Sequence, residues 1–233
     1  MTQPSGYFDF IRANAPFLAT GALLSFLSCF GQTFFIAIFG GEIRVEFGLS
    51  NGDWGMIYMI GTGASAAVMV FSGGMADRFR VRSLGIGVVM LLAMACLAMA
   101  INTVAGLLVL VIFALRFTGQ GMTHHVAVVA MARWFIATRG RALAVASMGF
   151  LLGEATLPLI MVWLKSQIDW RFLWVIFAVF CIVMIPVLFR LLRLERTPQS
   201  VASEEQSTGI YGKHWTRKEV LHHPMFWAMV PAV

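Results

Sequence analysis

The chain has 233 residues, of which 59% are apolar and 12% charged, with a formal net charge of +6 and a mean hydropathy of +0.82. A soluble domain carries about 25% charged residues, so most of this surface is built for lipid. The basic excess is no nucleic-acid footprint, because it gathers at one end of the apolar segments.

A transmembrane helix needs about 20 largely apolar residues. Residues 13–41 contain no Asp, Glu, Lys or Arg, which predicts a first helix over 17–39. That run is too long for a signal-peptide core and no small-residue cleavage site closes it, so an uncleaved span is expected. A second helix follows over 54–76. The apolar run 83–115 is too long for one span and divides at the Asn102-Thr103 turn, giving a third helix over 83–101 and a fourth over 104–131. Residues 141–164, interrupted only by Glu154, form the fifth, and 171–189 the sixth. Cys29, Cys96 and Cys181 lie singly in these runs, without the spacing of a disulfide framework or a metal site, and read as packing residues.

From Arg190 to His223 the chain is polar, with one stretch, 215–221, that fits an interfacial helix. After Pro224 come nine apolar residues, about 14 Å of helix at 1.5 Å per residue. The expected organisation is a six-helix membrane domain over 1–190, a cytoplasmic inter-domain loop over 191–223, and the truncated start of helix seven over 224–233. With a cytoplasmic N-terminus, thirteen of the 17 Lys and Arg fall inside, Arg44, Lys165 and Arg171 outside, and Arg116 within the membrane. Such segregation obeys the positive-inside rule and predicts a multi-pass protein of an inner (plasma) membrane.

The loop Gly73-Gly-Met-Ala-Asp77-Arg78-Phe-Arg80-Val-Arg82, with Ile86 beyond it, resembles the signature cytoplasmic loop of the major facilitator superfamily. That loop reads Gly-x-Leu-Ala-Asp-Arg-x-Gly-Arg-Arg/Lys followed by an aliphatic residue. Arg80 stands where the second glycine is expected, and Val81 where a basic residue is. Arg116-Phe-Thr-Gly119-Gln120-Gly121 is similar to the family's Arg-and-glycine pattern in helix four, shifted by one position. Arg133-Trp134-Phe135 with Arg139-Gly140-Arg141-Ala142, and Trp170-Arg171-Phe172, resemble its loop between helices four and five and its opening of helix six. Gly149 and Gly153 form a small-residue packing pair on helix five. Where the antiporter motif has Gly-Pro, this chain has Gly153-Glu154, with Pro158 further on.

The resemblance covers about residues 10–233. It implies an all-α membrane protein, the six-helix N-terminal bundle of two three-helix inverted repeats, belonging to a secondary transporter that works by alternating access. Substrate would bind near the midplane, between this half and a missing C-terminal half. It also implies that Gly73, Asp77, Arg78 and Arg82 form a conformational latch.

Ionisable groups inside a membrane are costly and usually functional. Arg116 lies about 18 Å along helix four and Glu154 about 20 Å along helix five, so both fall near mid-bilayer and are expected to reach each other. Two readings stay open: an anion-binding or proton-coupling pair, or a permanent ion pair holding the two helices together. Gly21, Ser25, Ser28 and Gln32 share one face of helix one, as do Arg116, Gln120, Thr123 and Ala127 on helix four. In the family these helices line the cavity, which makes Gln32, Arg116 and Gln120 the expected substrate contacts; bonding to neighbouring helices is the alternative. At about 100° per residue, His125 points roughly 180° from Arg116 and His124 roughly 80°. The two are not expected to share a pathway with the arginine, His125 being packed and His124 a candidate relay.

An arginine in a cavity with few acids leans toward a small organic anion such as a monocarboxylate, carried by proton symport or exchange. A multidrug/proton antiporter and a non-transporting truncated product are the alternatives. No span carries a Ser-His pair, a metal cluster or paired carboxylates, so neither an enzyme nor a cofactor is expected. The expected partners are the bilayer, a small-molecule substrate, protons and the second half of the transporter.

Overall fold

The computed structural model describes residues 6–194 and 217–224. The chain divides into two compact units, Met1–Pro198 and Gln199–Val233. Among the described residues there is no strand. Five helices are long and apolar enough to cross a membrane, and up to six if the bent pair at the N-terminus is one span.

The first span is built in pieces. Helix α1 (Tyr7–Ala13) turns through 87° at Asn14, whose side chain donates to the Phe10 carbonyl at 2.9 Å, and α2 (Ala15–Leu27) begins with Pro16 in its first turn. Proline is suited there because the first-turn N–H groups have no intrahelical partner. After α2 the chain tightens into a 3₁₀ turn over Ser28–Gly31, becomes extended at Gln32 and resumes as α3 (Thr33–Ile38) and α4 (Gly40–Glu46). The continuous helix expected over 17–39 is therefore corrected to one broken at Gln32. The break coincides with a crossing so tight that a Cβ added to Gly31 would lie 2.7 Å from the Gly119 Cα of the fourth span.

The other spans follow the apolar runs. Helix α5 (Asn51–Ser72) starts at a capping box in which the Asp53 amide donates to Ser50 Oγ at 3.1 Å and the Ser50 amide to Asp53 Oδ2 at 3.0 Å. Helix α6 (Met75–Arg78) is a single turn, and α7 (Val81–Ile101) ends at Asn102, whose side-chain oxygen accepts from the Val104 amide at 3.0 Å. A 3₁₀ turn leads into α8 (Leu108–Leu115), a π-helical segment (Arg116–Thr123) and α9 (His124–Trp134), which together make the fourth span. Helices α10 (Arg139–Lys165) and α11 (Trp170–Leu191) are the fifth and sixth.

Glycines set the closest approaches. A Cβ at Gly153 would meet the Cys29 sulfur at 2.5 Å, and one at Gly149 would strike the Ala22 carbonyl, so the small pair on α10 seats the first span against it. An aromatic cluster fastens the first span to α11, with Phe30 and Phe35 at 5.2 and 4.9 Å from Phe177 and Phe39 at 5.2 Å from Trp174. All three cysteines are buried and free.

The second unit, as described, contains α12 (Arg217–His222), which overlaps the stretch expected to form an interfacial helix. Residues 195–216 of the polar stretch, and 225–233, expected to open a seventh helix, lie outside the described residues.

Candidate functional site

A π-helical widening of the fourth span produces the site. In the fourth span the backbone widens to i→i+5 bonding: the His124 amide donates to the Gly119 carbonyl, and Thr123 Oγ1 donates to the Thr118 carbonyl at 2.6 Å. Gly119 sits against the first span, where a Cβ would lie 2.5 Å from the Gly31 Cα. Two backbones touch here, and neither helix is regular at the contact.

The widening re-aims side chains. Extending the series of 3.0 and 3.6 residues per turn to i→i+5 bonding gives roughly 4.4, or about 82° per residue. Over this segment Gln120 then lies about 30° from Arg116, with His124 and His125 about 50° to either side. A cleft of about 470 Å³ is accordingly lined by Arg116, Gln120, His124 and His125 from the fourth span and by Thr62, Ser65 and Met69 from α5. The expectation that both histidines and the arginine could not share a pathway is thus overturned. It assumed α-helical winding throughout.

Arg116 is buried, with 7% of its surface exposed. Its Nη1 donates to the Gly31 carbonyl at 3.2 Å, a group left free by the break at Gln32, and its Nε has no partner. The guanidinium carbon lies 5.7 Å from the centroid of the Tyr58 ring on α5. No carboxylate is among the described residues lining the cleft. Glu154 is exposed on α10 and takes no part in the ion pairs Lys165–Glu42 and Arg171–Glu46. The expected Arg116–Glu154 pair is not formed.

Gln120 is exposed at the cleft. Gln32 is half-buried at the helix break and does not line it. The rest of its stripe, Gly21, Ser25 and Ser28, is buried, with Ser28 Oγ donating to the Ser25 carbonyl at 2.7 Å. These groups serve helix packing, as do Thr123 and Ala127, both fully buried.

The loop resembling a latch joins the cleft at one point. Gly73 ends α5, and its carbonyl lies 3.0 Å from His125 Nε2. Arg133 Nη1 donates to the Ala76 carbonyl at 2.6 Å, fixing α6 to the end of the fourth span. Asp77 and Arg78 are exposed, and Asp77 makes no ion pair among the described residues. Arg82 stacks on the Phe189 ring with its guanidinium carbon 3.7 Å from the centroid.

At the opposite end the charges are matched. Glu46 accepts from Trp170 Nε1 at 2.9 Å and from Arg171 Nε and Nη2 at 2.8 and 2.5 Å, while Arg171 Nη1 donates to the Ala100 carbonyl at 2.7 Å. Lys165 pairs with Glu42 at 2.7 Å and also reaches the Ile38 carbonyl.

Sequence reading passed over Tyr58 and Thr62. The signal was present in their spacing: Tyr58, Thr62, Ser65 and Met69 stand at i, i+4, i+7 and i+11, one face of α5. A family model described as Major Facilitator Superfamily matches residues 21–233. No curated protein matches the chain.

Proposed function

The chain belongs to the major facilitator superfamily, whose members are secondary transporters, and on that premise we propose that it carries a small organic anion, with a monocarboxylate as the fitting class. The observation that carries this reading is Arg116: a buried guanidinium beside a cleft in which, among the described residues, no acid lines the wall and Nε has no partner. A charge-assisted contact from arginine to a carboxylate is among the stronger hydrogen bonds a site can offer. Gln120 supplies an uncharged polar contact beside it. Alternating access then exposes the cleft to either side, its second wall being supplied by a further six-helix half. We place the N-terminus in the cytoplasm of an inner membrane, on the charge segregation alone.

Symport is the proposed mode, with Glu154 as the proton-coupling group. It is the one carboxylate deep within a span rather than near its ends, and it has no ion pair among the described residues. Gly73, Asp77, Arg78 and Arg82 act as the latch, and the His125 contact to the Gly73 carbonyl supports a link between that loop and the cleft.

Uptake of labelled acetate, lactate and pyruvate by the full-length protein in proteoliposomes tests the proposal. Arg116→Lys and Arg116→Gln are expected to lose at least nine-tenths of uptake while remaining monodisperse. Glu154→Gln is expected to abolish uptake driven by a pH gradient and to spare counterflow exchange. Transport of a cationic drug, with no acid accumulated, would overturn the anion reading.

A further inference from the structure

Six buried side-chain polar atoms have no hydrogen-bond partner among the described residues, and four of them, Tyr58 OH, Thr62 Oγ1, Arg116 Nε and His124 Nδ1, belong to α5 and the fourth span. The other two have local accounts. Glu42 already pairs through its second oxygen with Lys165, and the Trp174 nitrogen lies inside the aromatic cluster. Buried polar groups are normally satisfied. Four orphans on two facing helices mark a place where a ligand supplies the acceptors.

Chemistry and placement agree. Tyr58 and Thr62 are one turn apart on the same face of α5. Thr62, Arg116 and His124 line the cleft, and the Tyr58 ring faces the guanidinium at 5.7 Å. Hydroxyl and guanidinium N–H groups donate, and an ionised carboxylate only accepts. Nη1 is held by the Gly31 carbonyl, and Nε, without a partner among the described residues, is among the groups left to the ligand. Arg116 is the one fixed charge among the described residues lining the cleft, so on this wall a second carboxylate would enter unmatched.

Resting on the anion reading above, we propose that Tyr58 and Thr62 of the second span, with His124 of the fourth, are direct ligands of the carboxylate held by Arg116. This set of donors makes the site selective for monocarboxylates over dicarboxylates. The second span thereby becomes part of the binding site and not only a wall facing lipid.

Equilibrium binding of labelled acetate, lactate, pyruvate and succinate to the purified full-length protein tests the assignment. Tyr58→Phe and Thr62→Val remove hydroxyl donors and little volume, and each is expected to weaken binding of the preferred monocarboxylate about ten-fold or more. His124→Gln is expected to weaken it several-fold, Arg116→Gln to abolish it, and succinate to bind at least ten-fold more weakly than that monocarboxylate. Thr156→Val is the control for losing a hydroxyl, since Thr156 is exposed and bonds the Leu152 carbonyl of its own helix; it should bind as wild type. Unchanged affinity in both Tyr58→Phe and Thr62→Val, with Arg116→Gln inactive, would overturn the ligand assignment and leave the anion reading standing. Wild-type binding by Arg116→Gln, or no binding of any acid by the wild type, overturns both. Weakening that comes with loss of the monodisperse species is a packing effect and also overturns the assignment.

Discussion

Arg171 and Arg116 are both pinned arginines, one at the end of the bundle and one in its middle, and they are pinned differently. Arg171 has Nε and Nη2 on Glu46, Nη1 on the Ala100 carbonyl and its plane 4.7 Å from the Trp170 ring centroid. Among the described residues Arg116 has one hydrogen bond, to the Gly31 carbonyl, and an unpartnered Nε. A saturated guanidinium stabilises a fold, because removing it leaves its partners exposed to the cost of being unpaired. An unsaturated one contributes little to the resting fold and is available to a ligand. The contrast separates a structural clamp from the group proposed to bind the anion.

The hardest way to break the contrast is through the scaffold that makes Arg116 unsaturated. Gly119→Val would drive side-chain carbons into the Gly31 backbone, already 2.5 Å from an added Cβ. The expected cost is about 3 kcal/mol or more, read as loss of monodisperse protein in detergent. Arg171→Gln should come next. With its ion pair only partly shielded, at 21% and 40% side-chain exposure, it is expected to lower stability by about 1–2 kcal/mol, a few degrees in melting temperature, and to leave carboxylate binding intact. Arg116→Gln should show the mirror image: binding lost and melting temperature unchanged. If it instead melted below Arg171→Gln, Arg116 would be a structural residue after all. Ser50→Ala tests a feature remote from both arginines: loss of the capping box should cost about 1 kcal/mol, visible as faster amide exchange in the first turn of α5 and nowhere in the cleft.

Most of the fold was legible because lipid imposes it. The third span was expected over residues 83–101 and found as Val81–Ile101; the fifth was expected over 141–164 and found as Arg139–Lys165. Charged residues and the Asn102 turn punctuate runs that have no other solvent. The break at Gln32 and the π-helical segment were not legible, because both occur where two backbones meet at Gly31 and Gly119. Nothing local to either sequence announces its partner. The error over the histidines descends from the same contact, since a one-residue widening of the helix rotates everything after Arg116. Arg116 itself was found because a charge in an apolar run needs a reason. Tyr58 and Thr62 were missed because hydroxyls in such a run need none until the structure shows them without partners.

The broken first span has one more consequence. A helix carries roughly half a negative charge at its C-terminal end, and the segment ending at Gly31 turns that end toward Arg116. The guanidinium is therefore countered by a helix terminus and not by an acid. A helix terminus offsets a guanidinium charge less completely than a carboxylate counter-ion would. On the proposed reading, an incoming anion displaces no carboxylate among the described residues, and when it leaves, the arginine keeps its hold on Gly31.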